Sequence, residues 1–179
     1  MLLTGVWAGL IEPQNPRLSL SPFGIYSRMA AEDDSLLSPI SPQSAAEWDD
    51  YFDLRWRVLR APWQQPRGSE KDDHETSSEH LMIVGKDSRP LAVGRLHFNS
   101  PDEAHVRFMA VDPGAQGRGC GSAILLEFER RARAAGATSI VLNARDEAQR
   151  FYQKRGFTVV GPAPTIFDAI KHVRMRKEL

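Results

Sequence analysis

The segment that most limits the folds open to this chain is Val111–Gly121, VDPGAQGRGCG, followed directly by SAILLEFERRARAAG. An apolar-alternating stretch ends at Val111, glycines crowd the turn, and an amphipathic period begins at Ser122. A strand therefore runs through a glycine-rich turn into a helix. That order presents backbone N–H groups at a helix N-terminus, where the macrodipole adds partial positive charge. Such a row binds an anion, most often a phosphate or pyrophosphate. Gly117, Gly119 and Gly121 let a ligand approach the backbone without side-chain clash, and Arg118 adds a full charge. Two familiar phosphate loops are excluded. No Gly-Lys-Ser or Gly-Lys-Thr follows, so this is not a P-loop. Read from Gly117 or from Gly119, a G-x-G-x-x-G pattern ends on Ser122 or Ile124, so the dinucleotide fingerprint fails as well.

The remaining chain supplies layers around this turn. Residues 1–34 hold Pro13, Pro16, Pro22 and Gly24 without an apolar period. They are expected to form a flexible extension, with residues 35–179 as the domain. Met29 offers a second start. Leu36–Ile40 reads as a short first strand. Ser41 and Pro42 read as the N-cap and first position of a helix carrying Phe52, Leu54, Trp56, Val58 and Leu59. Gln64–Glu79 is a long polar loop. His80–Val84 and Leu91–Phe98 form a hairpin, and Ala104–Val111 is the strand that enters the glycine turn. Its alternation places Val106, Phe108 and Ala110 on one face and His105, Arg107 and Met109 on the other. A helix over Ser122–Ala135 has Ile124, Phe128, Ala132 and Ala135 on one face. A short buried strand at Ser139–Leu142, a helix at Asp146–Arg155, and strands at Phe157–Val160 and Ile170–Met175 complete the domain. The order β-α-β-β-β-α-β-α-β-β predicts an α/β fold, a mixed sheet with helices on its faces.

Lys plus Arg and Asp plus Glu both number 23, so no basic excess points to nucleic acid. A single cysteine cannot form an internal disulfide, which fits the cytoplasm. No apolar run is long enough to span a bilayer. Met1–Leu10 lacks Lys and Arg and is followed by Glu12 and Pro13, unlike a signal peptide.

Gln116, Gly119 and Gly121 match the turn pattern of the GNAT superfamily of N-acetyltransferases, and Ala148, Phe151, Tyr152, Gly156 and Phe157 match its second mark, a Tyr four residues before Gly-Phe. The chain resembles that family over Leu36–Leu179. Phe52–Glu70, Arg107–Val111, Asn143–Arg145 and Lys171–Met175 are similar to a bacterial subgroup whose acetyltransferase domain can be fused to a thioesterase-like hotdog domain. With the chain ending at Leu179, no fused hotdog domain is expected. The resemblance implies a mostly antiparallel mixed sheet with helices on both faces. It also implies a splay between the fourth and fifth strands, Ala104–Val111 and Ser139–Leu142. Acetyl-CoA would be the co-substrate, with no metal. Backbone groups of Met109, Ala110 and Val111 would bond its pantetheine arm. Gln116, Gly117, Arg118, Gly119, Cys120, Gly121 and Ser122 would hold the pyrophosphate, with Asn143, Arg145 and Phe151 completing the cofactor side. Tyr152 would be the catalytic acid. The implied partner is a small-molecule or peptide amine, and a homodimer is left open.

Several residues keep two readings. The family has Asn where this chain has Arg145, so Arg145 either contacts CoA or forms a structural ion pair. Cys120 is read as a small apolar filler. The acidic loop with Glu70, Asp72, Asp73, Glu75 and Glu79 is either a solvated surface or a lure for a cationic amine. His80 and His172 are cleft candidates, and no histidine pair has metal-binding helical spacing. A non-catalytic acyl-CoA-binding module, or transfer of a longer acyl group or to a carrier thiol, are the competing functions.

Overall fold

The computed structural model describes residues 37–179; the expectations about residues 1–34 fall outside them. Helix α1 spans Ala45–Leu59. Strands β1 (Glu79–Val84), β2 (Pro90–Ser100) and β3 (Glu103–Val111) follow as antiparallel neighbours. Helix α2 covers Cys120–Ala134, β4 Ser139–Arg145, and the short helix α3 Gln149–Gln153. Strands β5 (Thr158–Ile166) and β6 (Ile170–Glu178) end the chain. The sheet order is β1-β2-β3-β4-β6-β5, and β3–β4 is its one parallel pair among the described residues.

Alternation along the strands sends successive side chains to opposite faces. Leu81, Ile83, Ala92, Leu96, Ile140 and Leu142 pack under α2 with Ile124, Leu125 and Phe128. Met82, Val93 and Ala110 pack under α1 with Tyr51 and Leu54. Each fully buried Leu, Ile or Phe contributes about 1.5–3 kcal/mol, so two apolar layers clamp the sheet and hold the ends of β3 and β4 in place.

Local signals correct several expected boundaries. Helix α1 is capped by Ser44, not Ser41: Ser44 and Glu47 form a capping box that satisfies two otherwise unpaired amides. The expected first strand shrinks to one bridge, Ile40 with Met82. Ala135 is the exposed C-cap of α2 and not part of its buried face. Strand β5 runs on through Pro162 and Pro164 to Ile166. It lies at the sheet edge, where a missing N–H costs no ladder bond.

Candidate active site

Strand β3 does not keep the simple alternation its sequence suggests. Phe108 has φ 53°, in the left-handed region, and the β2–β3 register slips between Val93 and Arg95. This is a bulge opposite Gly94. The extra residue sends Val106 and Met109 to the α2 side and Ala110 to the α1 side. Gly94 is required there, because a Cβ on it would lie 2.8 Å from the Met109 sulfur and 2.9 Å from the Phe128 ring.

Beyond the bulge the sheet opens. The parallel β3–β4 pairing ends at Val106 with Leu142. Ala110 and Val111 continue to pair with β2, while Asn143, Ala144 and Arg145 pair with β6. The facing edges of Arg107–Val111 and Asn143–Arg145 are left without each other. These edges are the splay, and their backbone groups can bond an amide-bearing ligand laid between them.

The glycine turn sits beside this opening. Gly117 (φ 77°) and Gly119 (φ 88°), the N-cap of α2, take left-handed conformations that L side chains rarely adopt. Gly121 is close-packed: a Cβ there would lie 3.4 Å from both Phe151 and Val111. A cleft of about 590 Å³ connects turn and splay. Met109, Ala110, Val111, Gln116, Gly117, Gly119, Cys120, Gly121, Ser122, Asn143, Arg145, Phe151 and Tyr152 all line it. Arg118 is exposed and is not among the lining residues. Cys120, the first residue of α2, is fully buried in the core that this helix covers.

The cation at the turn is one the sequence did not suggest. Arg155, just past α3, donates to the Phe151 carbonyl at 2.7 Å and to the Ser122 hydroxyl. Its guanidinium stacks 3.7 Å from the Phe151 ring centroid and lines the cleft. It ties α3 to the first turn of α2, beside the amides that the helix itself leaves unpaired.

Tyr152 is 8 % exposed and packs edge-on to Phe151 and Phe157. Burial pushes its phenol up to about 12, partly offset by Arg155, so it is protonated at neutral pH. Among the described residues its hydroxyl has no hydrogen-bond partner. Asn143 Oδ1 is likewise buried without one. An orphaned buried acceptor is costly, and its place at the splay fits a ligand carrying amide N–H groups, as pantetheine does. His172 lines the same cleft and its Nδ1 lies 2.9 Å from the Ile170 carbonyl. That bond assigns the proton to Nδ1 and leaves Nε2 as an acceptor. Burial holds the imidazole below its usual value, hence neutral.

The acidic loop is not a lure for cations. Arg55 of α1 and Arg95 of β2 are both fully buried. Glu75 grips Arg55 with both oxygens, at 2.9 and 3.0 Å, and Arg95 at 2.8 Å. Asp72 chelates Arg95, and the Glu70 carbonyl accepts from Arg55. Burial, the largest single influence, would raise the Asp72 carboxyl, but the Arg95 hydrogen bonds, the His74 amide and the charges of Arg95 and Arg107 together hold it down at about 2. His80 belongs to this network, bonded to the Glu75 carbonyl at 2.8 Å and the Tyr51 hydroxyl at 3.2 Å, and is not in the cleft. The Arg55 guanidinium lies 3.9 Å from the Phe108 ring centroid and so supports the bulge. Among the described residues no group of three His, Cys, Asp or Glu side chains could hold a metal ion, and no helix is long and apolar enough to cross a membrane.

Residues 62–179 match the acetyltransferase (GNAT) domain. The chain belongs to the GNAT family. It is an acetyltransferase, an enzyme moving an acetyl group to an amine, and CoA is the family's acyl carrier. The uncharacterized N-acetyltransferase YjcF of Bacillus subtilis is 27% identical over 129 residues, 72% of this chain and 91% of that one. Glucosamine 6-phosphate N-acetyltransferase of Trypanosoma brucei brucei is 29% identical over 125 residues, 68% and 75% of the two chains. A Bacillus subtilis acetyltransferase solved in complex with CoA shares the fold at TM-score 0.63 and 19% identity, over 80% of this acetyltransferase and 99% of that chain.

Proposed function

We propose that this GNAT enzyme carries out direct attack of an amine on the acetyl-CoA thioester in the cleft between β3 and β4. The parting of those strands beside the glycine turn carries the reading. The amides of Gly117–Ser122, with Arg155, bind the pyrophosphate; the freed edge of Met109–Val111 and Asn143 Oδ1 bond the pantetheine arm. Holding both reactants in one cleft supplies much of the acceleration. His172 Nε2 accepts the proton of the incoming ammonium, directly or through water. Tyr152 donates to the departing sulfur. With its phenol at about 12 and a thiol near 8.5, complete transfer is uphill by about 5 kcal/mol at about 1.36 kcal/mol per pK unit. Tyr152 therefore acts through a hydrogen bond that tightens as charge grows on sulfur.

The acceptor is a small-molecule or peptide amine, and the name of the trypanosomal relative makes amino-sugar phosphates a first panel to screen. The lone cysteine supports the cytoplasm as compartment. The segments Phe52–Glu70 and Lys171–Met175 support kinship with the acetyltransferases found fused to hotdog domains. The test is steady-state kinetics on any accepted amine. Tyr152→Phe is expected to lower turnover by about 10²–10⁴ with acetyl-CoA affinity little changed. His172→Gln is expected to remove the acidic limb of the kcat/KM profile. Near wild-type turnover in Tyr152→Phe, where chemistry limits the rate, contradicts the assignment.

A further inference from the structure

On the side away from the glycine turn the cleft is lined mainly by cations, with Glu147 as the one carboxylate among its described lining residues. Arg60 at the C-cap of α1, Arg107 on β3 and Arg145 at the end of β4 line it. Arg107 stands opposite Arg95, and Arg145 opposite His172, so each pair shares a face. That face is opposite to Leu142 and Ala144, which pack under α2. Arg60 feels the other two: it is pushed below the usual arginine range by burial, then by Arg55, Arg145 and Arg107.

Among the described residues no ion pair holds Arg60 or Arg107, and the acids that act on them from farther off, Glu70 on Arg60 and Asp72 and Glu75 on Arg107, offset their charge only in part. Arg60 bonds backbone carbonyls only, Ser69 at 2.8 Å and Leu59 at 3.2 Å. Arg107 is half-buried and makes no ion pair among the described residues. The carboxylate nearest Arg145 is Glu147, 3.9 Å away and 74% exposed. The nearby acids Asp72 and Glu75 are already committed to Arg55 and Arg95. Half-buried cations without counter-ions are costly. A bare amine arrives as an ammonium and would be repelled from such a cleft. The CoA pyrophosphate does not account for them, because the glycine turn and Arg155 that face it lie with α2, across the sheet.

We propose that the acceptor carries, a few bonds from its amine, an anionic group, a phosphate or a carboxylate, held by Arg107 and Arg145 with Arg60 behind them. This rests on the acetyl-transfer reading above. An ammonium of an anion-bearing molecule brings its own counter-charge, and the guanidinium forks match both anions in geometry.

The test gives the full chain acetyl-CoA and paired amines differing in the anion: glucosamine 6-phosphate against glucosamine, and an α-amino acid against its amide. The anionic member of at least one pair is expected to win in kcat/KM by roughly 10–100-fold, the range for hydrogen bonds to charged groups; the winning pair names the anion. Arg107→Gln and Arg145→Gln should each collapse that ratio through KM, with acetyl-CoA affinity kept. In parallel, inorganic phosphate, and separately acetate, is titrated calorimetrically into the CoA-loaded protein. Binding of one of them in wild type and its loss in the double variant is the expected result. Preference for the neutral partners, loss of acetyl-CoA affinity in the arginine variants, or no binding of either anion overturns the proposal. If no amine of either kind turns over, the acceptor lies outside these pairs, and the anion titration alone decides the proposal.

Discussion

Two sets of arginines lie on the α1 side of the sheet, and the structure treats them in opposite ways. Arg55 and Arg95 are fully buried, and the loop of residues 64–79 folds back to give them Glu75, Asp72 and a backbone carbonyl. Arg60, Arg107 and Arg145 line the cleft with backbone carbonyls or one distant carboxylate. The Phe108 ring lies between the sets, 3.9 Å from Arg55 and 5.2 Å from Arg107. A buried charge with its partners built in holds a loop and a bulge in place. A charge left open to a cleft is available to a ligand. Charge alone does not separate the two roles; the compensation does.

The largest expected effect breaks the built-in set. Glu75→Gln leaves two buried guanidinium groups short of a counter-ion, and should cost about 3–5 kcal/mol of stability. Urea denaturation of wild type and variant checks it; a loss under about 1 kcal/mol would mean the network is not structural.

Comparable over the full pH range, and smaller within any one pH unit, is a pH effect on the same side of the sheet. Burial lowers His97 to about 4 and His105 to about 3, with Arg95 and then His97 as the respective next causes. Both imidazoles are therefore neutral in the fold. The unfolded chain, titrating near 6.5, binds more protons below that pH. Their stabilising contribution is complete above pH 6.5 and declines as pH falls toward 4, by up to about 1.4 kcal/mol per pH unit for each histidine. Denaturation midpoints from pH 7.5 to 4.5 should show that slope, and a His97→Gln, His105→Gln double variant should flatten it. A profile already flat in wild type contradicts the burial argument.

The smallest effect sharpens the contrast. Arg107→Gln removes a half-buried cation that has no ion pair among the described residues, so stability should stay level or rise slightly. A loss comparable to that of Glu75→Gln would place Arg107 with the structural set.

The sequence disclosed these two sets unevenly. The glycine turn, both long helices and the strand entering the cleft were legible, because each has a period and a stop signal in consecutive residues. The Phe108 bulge was not, since nothing in HVRFMAV marks the extra residue; Gly94 on the partner strand is the nearest clue. Nothing in the sequence singles out Arg55 between Leu54 and Trp56, and Glu75, twenty residues on, stood in a loop read as either a solvated surface or a lure for a cation. Pairing across such a distance exists only in the folded chain. For the same reason Arg118 drew the eye inside the motif, while Arg155 reaches the turn from a different helix.

The central claim is that the glycine turn beside the splayed strands binds acetyl-CoA. Calorimetric titration of acetyl-CoA into wild type and Gly119→Val tests it most directly. Gly119 holds φ 88° at the N-cap of α2 and a Cβ there would reach Leu37 at 3.4 Å, so a branched side chain disturbs the turn and little else. The expected result is one-to-one binding by wild type and loss of binding by a variant that is still folded by circular dichroism. Unchanged affinity in the folded variant would contradict the claim.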